Sequence, residues 1–412
     1  MITYQDILAL DDNDPLADKR QEFVLPSGCI YLDGNSLGAL PEAARKRAKE
    51  VVEQQWGEGL IKSWNQHNWI DLPTQVGDKI APLIGAAPGQ VICCDSISVN
   101  LFKLLSAALA MRPGRHIVLS QSDNFPTDLY MVQGLSQLLG EQRCQLKLVD
   151  EQDINDNLNT EVAVLLLTQV NFRTGYLHNM QRITQLAHQQ GILVIWDLAH
   201  SAGAVPIELD RWVVDFAVGC GYKYLNGGPG APAFIYAASR HQSALTQPLN
   251  GWMGHANPFA FSQQYQAAEG MLRFLSGTPS VVSMSVLDAA LEVFDKVDMQ
   301  LIRKKSCDLA NLCMALIEQS RLSNTLHLVS PVNDAERGSQ VAYAHPNAFA
   351  ICQALIARNI ICDFRAPDIL RIGFTPLYTS YADVWHAVVN LQDIVQQGIY
   401  TQPQYNQKHK VT

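Results

Sequence analysis

The chain has 412 residues, of which 48% are hydrophobic and 17% charged, a composition that excludes disorder and a length beyond what one hydrophobic core usually supports. With 39 acidic residues against 30 basic ones the net charge is −9, which argues against nucleic acid or an anionic membrane as a partner. Nine cysteines without a C-x-x-C pair suggest neither a disulfide framework nor a zinc site, and a start without a basic, apolar leader makes the cytoplasm the expected compartment.

Residues 1–28 read as an arm with little regular strand signal. Cys29-Ile30-Tyr31-Leu32 then leads into Asp33-Gly34-Asn35-Ser36-Leu37-Gly38, where two glycines permit tight turns near a ligand or simply form a loop before a helix. Pro41 opens an amphipathic helix through Trp56. The aromatic stretch Trp64 to Trp69 suits either the pocket of an aromatic substrate or plain packing.

From Val91 onward, apolar runs alternate with helical patterns. Strands are expected at 91–94, 116–120, 145–149, 162–168, 191–197, 214–220 and 233–238, with helices such as 99–111, 126–139 and 179–190 between them. This alternation specifies an α/β fold with a mostly parallel central sheet covered by helices. In such sheets ligands lie beyond the carboxyl ends of the strands.

Several candidates fall there. Asp95-Ser96-Ile97-Ser98 follows the first strand and opens a helix, offering hydroxyls and free N–H groups to an anion or merely a serine cap. Phe125-Pro126-Thr127-Asp128 starts the next helix with an aromatic side chain able to stack on a flat ring. The run Gly191-Ile192-Leu193-Val194-Ile195-Trp196 ends on Asp197, and the run 214–220 delivers Lys223 just before the glycine-rich turn Asn226-Gly227-Gly228-Pro229-Gly230. If the strand continues, Tyr222 points to the opposite side from Lys223.

An Asp and a Lys at two strand ends are the protein groups that pyridoxal 5'-phosphate needs: a carboxylate that keeps the pyridine nitrogen protonated and an amine that holds the aldehyde. Farther on, Gly251-Trp252-Met253-Gly254-His255 and Phe274-Leu275-Ser276-Gly277-Thr278-Pro279 are irregular stretches of the kind that carry function. A helix near 280–297 links to an α+β third: helix 299–322, strands near 326–330 and 340–345, helix 346–358, strands 359–364 and 369–373, and a last helix capped by Ser380 and Asp383. Arg371, set among apolar residues, calls for an anionic partner, either a substrate carboxylate or an internal salt bridge. The expected division is an arm and helix over 1–56 packing with the small domain, a large cofactor-binding domain over 57–297 and a small domain over 298–412.

Taken together, Tyr31 to Gly38, Phe125 to Asp128, Trp196-Asp197-Leu198-Ala199-His200-Ser201-Ala202-Gly203, Gly221 to Gly230 and Gly251 to His255 resemble the kynureninase family of fold-type I pyridoxal phosphate enzymes, within the class V aminotransferase-like group. The resemblance runs from about residue 30 to Arg371. It implies hydrolysis of L-kynurenine to anthranilate and L-alanine in tryptophan degradation, by a homodimer with shared active sites. It makes Lys223 the Schiff-base lysine, Asp197 the partner of the pyridine nitrogen and Tyr222 a catalytic neighbour. Phe125 stacks on the ring, with Asp128, Thr168 and His200 around it; Ile97, Ser98, Tyr222, Trp252 and Thr278 surround the phosphate, the last two from the neighbouring subunit.

The same resemblance gives Arg371 and Ser36 to the substrate. Ile97 offers only its backbone where many relatives have a hydroxyl. Gly277, in place of a polar side chain of animal relatives, favours kynurenine over 3-hydroxykynurenine. The alternatives are a cysteine desulfurase or selenocysteine lyase, which needs a nucleophilic cysteine on a mobile loop, and a cofactor-binding regulator without turnover.

Overall fold

The computed structural model describes residues 1–407, so the last five residues of the expected 298–412 unit lie outside the described residues. Seven apolar segments form the central sheet: β1 (Val91–Cys93), β2 (Ile117–Gln121), β3 (Gln145–Val149), β4 (Val162–Thr168), β5 (Leu193–Asp197), β6 (Phe216–Cys220) and β7 (Ala233–Ala237). Their order is β1-β7-β6-β5-β4-β2-β3. β7 runs antiparallel to both β6 and β1, whereas β6, β5, β4, β2 and β3 pair in parallel.

Every residue of β4, β5 and β6 is buried, which is why these strands read as continuous apolar runs. Alternate side chains enter different cores: Leu165, Leu167, Val194 and Trp196 on one face, Val164, Leu166, Leu193 and Ile195 on the other. The parallel register sets Thr168 beside Asp197 and Asp197 beside Val218, gathering the strand ends at one edge.

A second sheet holds β8 (His327–Leu328), β9 (Gln340–Ala344), β10 (Asp363–Arg365) and β11 (Ile369–Gly373) in the antiparallel order β8-β9-β11-β10. The predicted single strand 359–364 is two: Ile360–Ile361 pairs in parallel with Ile30–Tyr31, and β10 starts at Asp363. The last helix, Tyr381–Gln396, begins with the anticipated capping box between Ser380 and Asp383.

Two N-terminal findings refine the expectations. Within residues 1–28, for which little strand signal is expected, the only strand is the two-residue Phe23–Val24, and Tyr4–Asp12 is a helix with a capping box between Thr3 and Asp6. Its single buried residue, Ile7, enters the same core as Leu309, Ile351 and Leu391, and one buried position is too little periodicity to read. The helix expected from Pro41 to Trp56 is an α-helix only over Glu42–Glu50 and continues as a π-turn over Val51–Trp56, while Pro41 caps it and pairs with Phe23. No helix among the described residues is long and apolar enough to cross a membrane.

Candidate active site

β6 ends at Cys220, and the chain turns back on itself around Lys223: Gly227 N–H donates to the Gly221 carbonyl at 2.8 Å and Asn226 N–H to the Lys223 carbonyl at 2.9 Å. A second segment clamps this turn, with Gly38 N–H on the Tyr222 carbonyl at 2.8 Å. A Cβ at Gly38 would lie 2.3 Å from the Lys223 carbonyl oxygen, so the approach requires glycine. Gly38 thus serves backbone contact with the lysine turn.

Beyond the strand ends lies a cavity of about 410 Å³, a size suited to a small ligand. Lys223, Tyr222, Asp197, His200 and Thr168 line it from the central strands. Ile97 and Ser98 reach it from the start of the helix Ile97–Ala110, and Phe125 and Asp128 from the start of Pro126–Leu139. Nine of the thirteen residues singled out in the sequence therefore meet at one place.

Because the strand stops at Cys220, its alternation does not extend to Tyr222. Tyr222 and Lys223 line the same cavity, and Lys223 Nζ sits 5.9 Å from the Tyr222 ring centroid and 5.9 Å from that of Phe125. The condition under which the two side chains are expected to point apart, a strand continuing through Tyr222, is therefore not met. Burial lowers the pKa of Lys223, opposed by Cys220 and Asp197. Burial also raises Tyr222, helped by Cys220 and Asp197.

Asp197 and Asp128 are both buried and interact. Asp197 Oδ1 accepts from Ala199 N–H at 2.7 Å, and Lys223 favours its charged form against the upward pull of burial. Asp128 Oδ2 lies 3.3 Å from the Thr168 hydroxyl, the Asp128 and Asp197 carboxyls hydrogen-bond each other, and burial followed by the Asp197 charge holds the Asp128 carboxyl well above the usual range. Of the two, Asp128 keeps the proton and Asp197 the charge, because Lys223 and the Ala199 N–H oppose burial most strongly at Asp197, whereas at Asp128 the Asp197 charge adds to burial. Thr168 in turn gives its hydroxyl to Asn124 Oδ1 at 2.5 Å. His200 is buried, its Nδ1 lies 3.3 Å from Gln340 Oε1, and burial, Lys223 and Arg371 hold its pKa well below the ordinary value.

Four candidates lie outside the cavity. Arg371 is buried, with Nε donating to Asp363 Oδ1 at 2.8 Å, Nη2 to Asp363 Oδ2 and to Ser36 Oγ at 2.9 Å, and Nη1 to the Phe172 carbonyl. Ser36 Oγ donates to Asp363 Oδ2 at 2.7 Å. The salt bridge weighed for Arg371 is thus present, and the cluster abuts the cavity through Phe172, which lines it and meets the Phe125 ring edge-on at 5.3 Å. Trp252 borders a different cleft with His255 and Phe261, and Thr278 is exposed.

Sequence reasoning missed Phe172 and Asp363. The first sits in an irregular stretch after β4, where the location beyond a strand end was the only signal; the second needed the fold to bring it to Arg371. Trp64 and Trp69 pack edge-on at 5.8 Å, Trp69 Nε1 donates to Gln55 Oε1 at 2.9 Å, and neither lines the cavity. Of the two readings offered for that stretch, packing describes it.

The donor set fits pyridoxal phosphate: a half-buried amine, a buried carboxylate facing it, a flat aromatic ring and a helix start converge on one cavity. Residues 302–391 match the family model described as the kynureninase C-terminal domain. The chain is 50% identical over 417 residues to a kynureninase of Burkholderia pseudomallei (strain 1106a), covering 100% of each, and 46% identical to one of Pseudomonas fluorescens with the same coverage. Among solved structures it resembles a cysteine desulfurase of Thermococcus onnurineus NA1, with a TM-score of 0.78, 16% identity, and 92% and 98% of the two chains covered. A C-DES variant with glycine covalently linked to the PLP cofactor gives a TM-score of 0.78 at 18% identity, over 91% and 99% of the chains. Those two likenesses establish the fold, whereas the full-length identities establish the family: this chain belongs to the kynureninases.

Proposed function

We propose that the chain hydrolyses L-kynurenine to anthranilate and L-alanine in tryptophan degradation, using pyridoxal 5'-phosphate. The observation that carries this reading is the convergence of Lys223, Asp197 and Phe125 on one cavity in a chain 50% identical over its full length to kynureninases. The cofactor, when bound, supplies the electron sink that a carbanion next to the amino acid nitrogen requires.

Lys223 would hold the cofactor aldehyde and, once released by substrate, would take the Cα proton; its lowered pKa favours the free amine that both tasks need. Asp197 would keep a proton on the pyridine nitrogen. Phe125, Asp128, Thr168 and His200 would hold the ring, and Ile97, Ser98 and Tyr222 the phosphate. Water adds to the substrate's γ-carbonyl, the Cβ–Cγ bond breaks, and anthranilate leaves. The Tyr222 hydroxyl gives a proton to Cβ, Lys223 returns one to Cα, and alanine departs. Arg371, with Ser36 beside it, receives the substrate carboxylate, and Gly277 favours kynurenine over its 3-hydroxy analogue.

Trp252 and Thr278 serve the phosphate of a second subunit in a homodimer; their position away from this chain's own cavity supports that reading. A boundary near residue 297 is supported by the two sheets, whose strands fall on either side of it, whereas Leu16, Phe23 and Ala39 of the arm join the core of the central sheet, not that of the small one. Free thiols throughout suit the cytoplasm. The desulfurase alternative rests on fold likeness alone: Cys352 and Cys362 are buried together in the core of the second sheet, Sγ to Sγ 3.8 Å, and Cys220 in the cavity wall is pushed up by burial. Incubation with L-kynurenine, following anthranilate release by its fluorescence, tests the proposal; a holo protein that releases none has another function.

A further inference from the structure

We infer that Lys103 is a positioning residue for the cofactor phosphate, acting through Asp95; the inference rests on the cofactor reading above. Asp95 lines the cavity next to Ser96, Ile97 and Ser98, and its side chain is 29% exposed. A carboxylate in that wall repels a phosphate dianion, so a turn built to hold phosphate needs the charge cancelled. Lys103 does this from behind. It projects from the helix Ile97–Ala110, is 0% exposed, and its Nζ donates to Asp95 Oδ2 at 2.6 Å.

The same ammonium donates to the Phe274 carbonyl, at the root of the Leu275–Thr278 stretch. Asp95 itself is fixed on the other side, where its carbonyl accepts from Ala233 N–H at 2.9 Å, and its backbone adopts φ +50°, a left-handed conformation that Asp tolerates better than most residues. Asn100 completes the frame by donating to the Cys94 carbonyl at 2.9 Å. One buried cation therefore neutralises the acidic residue of the turn and ties two segments of wall together, leaving the Ser96–Ser98 amides and hydroxyls as the net field that the phosphate meets.

The test compares apo wild type with Lys103→Met, titrated separately with pyridoxal 5'-phosphate and with pyridoxal, which lacks the phosphate. Lys103→Met is expected to weaken pyridoxal phosphate by about tenfold or more while leaving pyridoxal within about twofold, and adding Asp95→Asn to it is expected to restore most of the loss. Equal weakening of both compounds, or no change in either, overturns the inference and leaves Lys103 a fold residue or a bystander. If Lys103→Met does not fold, Asp95→Asn alone decides: the preference for the phosphorylated compound must hold or rise, and a fall overturns the inference. Should wild type bind neither compound, the cofactor reading fails with it, an outcome distinct from a wild type that binds both and a variant that keeps the wild-type preference.

Discussion

Arg371 and Asp363 form a two-pronged ion pair, Nε to Oδ1 at 2.8 Å and Nη2 to Oδ2, with 0% and 3% of the two side chains exposed. The Arg371 cation, proposed above to receive the substrate, is thus already engaged within the chain, but Arg365 Nη2 also lies 2.9 Å from Asp363 Oδ2, so two guanidiniums share one carboxylate and together hold it below the usual range against the effect of burial. A substrate carboxylate has to join this arrangement.

Arg371→Lys is therefore expected to do two things. Without the fork, Asp363 keeps a poorer partner, and thermal stability falls, by less than the scale of about 3–5 kcal/mol for removing a buried partner outright, because Arg365 still meets Asp363 Oδ2 at 2.9 Å. Transition-state binding falls by about 1.5–3 kcal/mol, read from kcat/KM with L-kynurenine. A lower melting temperature with unchanged kcat/KM would confine Arg371 to the ion pair.

Borohydride treatment of the holo protein, followed by peptide mapping, is expected to place the reduced cofactor on Lys223, whose Nζ lies 5.9 Å from the ring centroids of both Phe125 and Tyr222. Label on any other lysine would remove Lys223 from its proposed role.

Asp197→Asn keeps the shape of the side chain and the Ala199 N–H contact at the amide oxygen but loses the charge. A fall in kcat of at least about a hundredfold is expected, the scale of losing a placed electrostatic contact. Because Asp197 is one cause of the raised Asp128 pKa, the variant also lets Asp128 ionise at lower pH. Near-normal turnover would rule out the pyridine-nitrogen role.

Tyr222→Phe removes one hydroxyl from the cavity wall. Exchange of the substrate Cα proton is expected to continue while alanine release slows by about a hundredfold, the usual scale for a positioned general acid. Equal slowing of the two steps would mean that the variant had displaced the cofactor.

His178 supplies a pH prediction. It is buried between Tyr176 and Trp196, its Nε2 lies 2.8 Å from Gln121 Oε1, and burial lowers its pKa to about 4. The unfolded chain protonates this histidine near its ordinary value of about 6.5 while the folded chain does not. The stabilisation is therefore complete above about pH 6.5 and is lost as the pH falls toward 4, by at most about 3 kcal/mol. His178→Gln should flatten urea-measured stability across that interval; an unchanged slope would show that other groups govern the acid limb.

The strand and helix alternation was legible because each buried strand is a short apolar run closed by a turn signal, and Asp197, which ends one of them, and Lys223, three residues past the end of another, stand out as polar. Local pattern also carried the Ser380–Asp383 capping box. What it could not carry were relationships between distant segments. The reversed direction of β7 depends on which neighbours it pairs with, and its own residues read alike either way. Ile7 joins a core built from the last third of the chain, and Ser36 finds Asp363 some 327 positions away. Tyr222 enters the same cavity as Lys223 because the strand ends two residues before it. Residue type and short-range periodicity determine which groups are available and which segments are regular; the balance of charge around each group, as at Arg371, Asp128 and Lys103, is decided by what the folded chain packs against it in a medium where unpaired charge is costly.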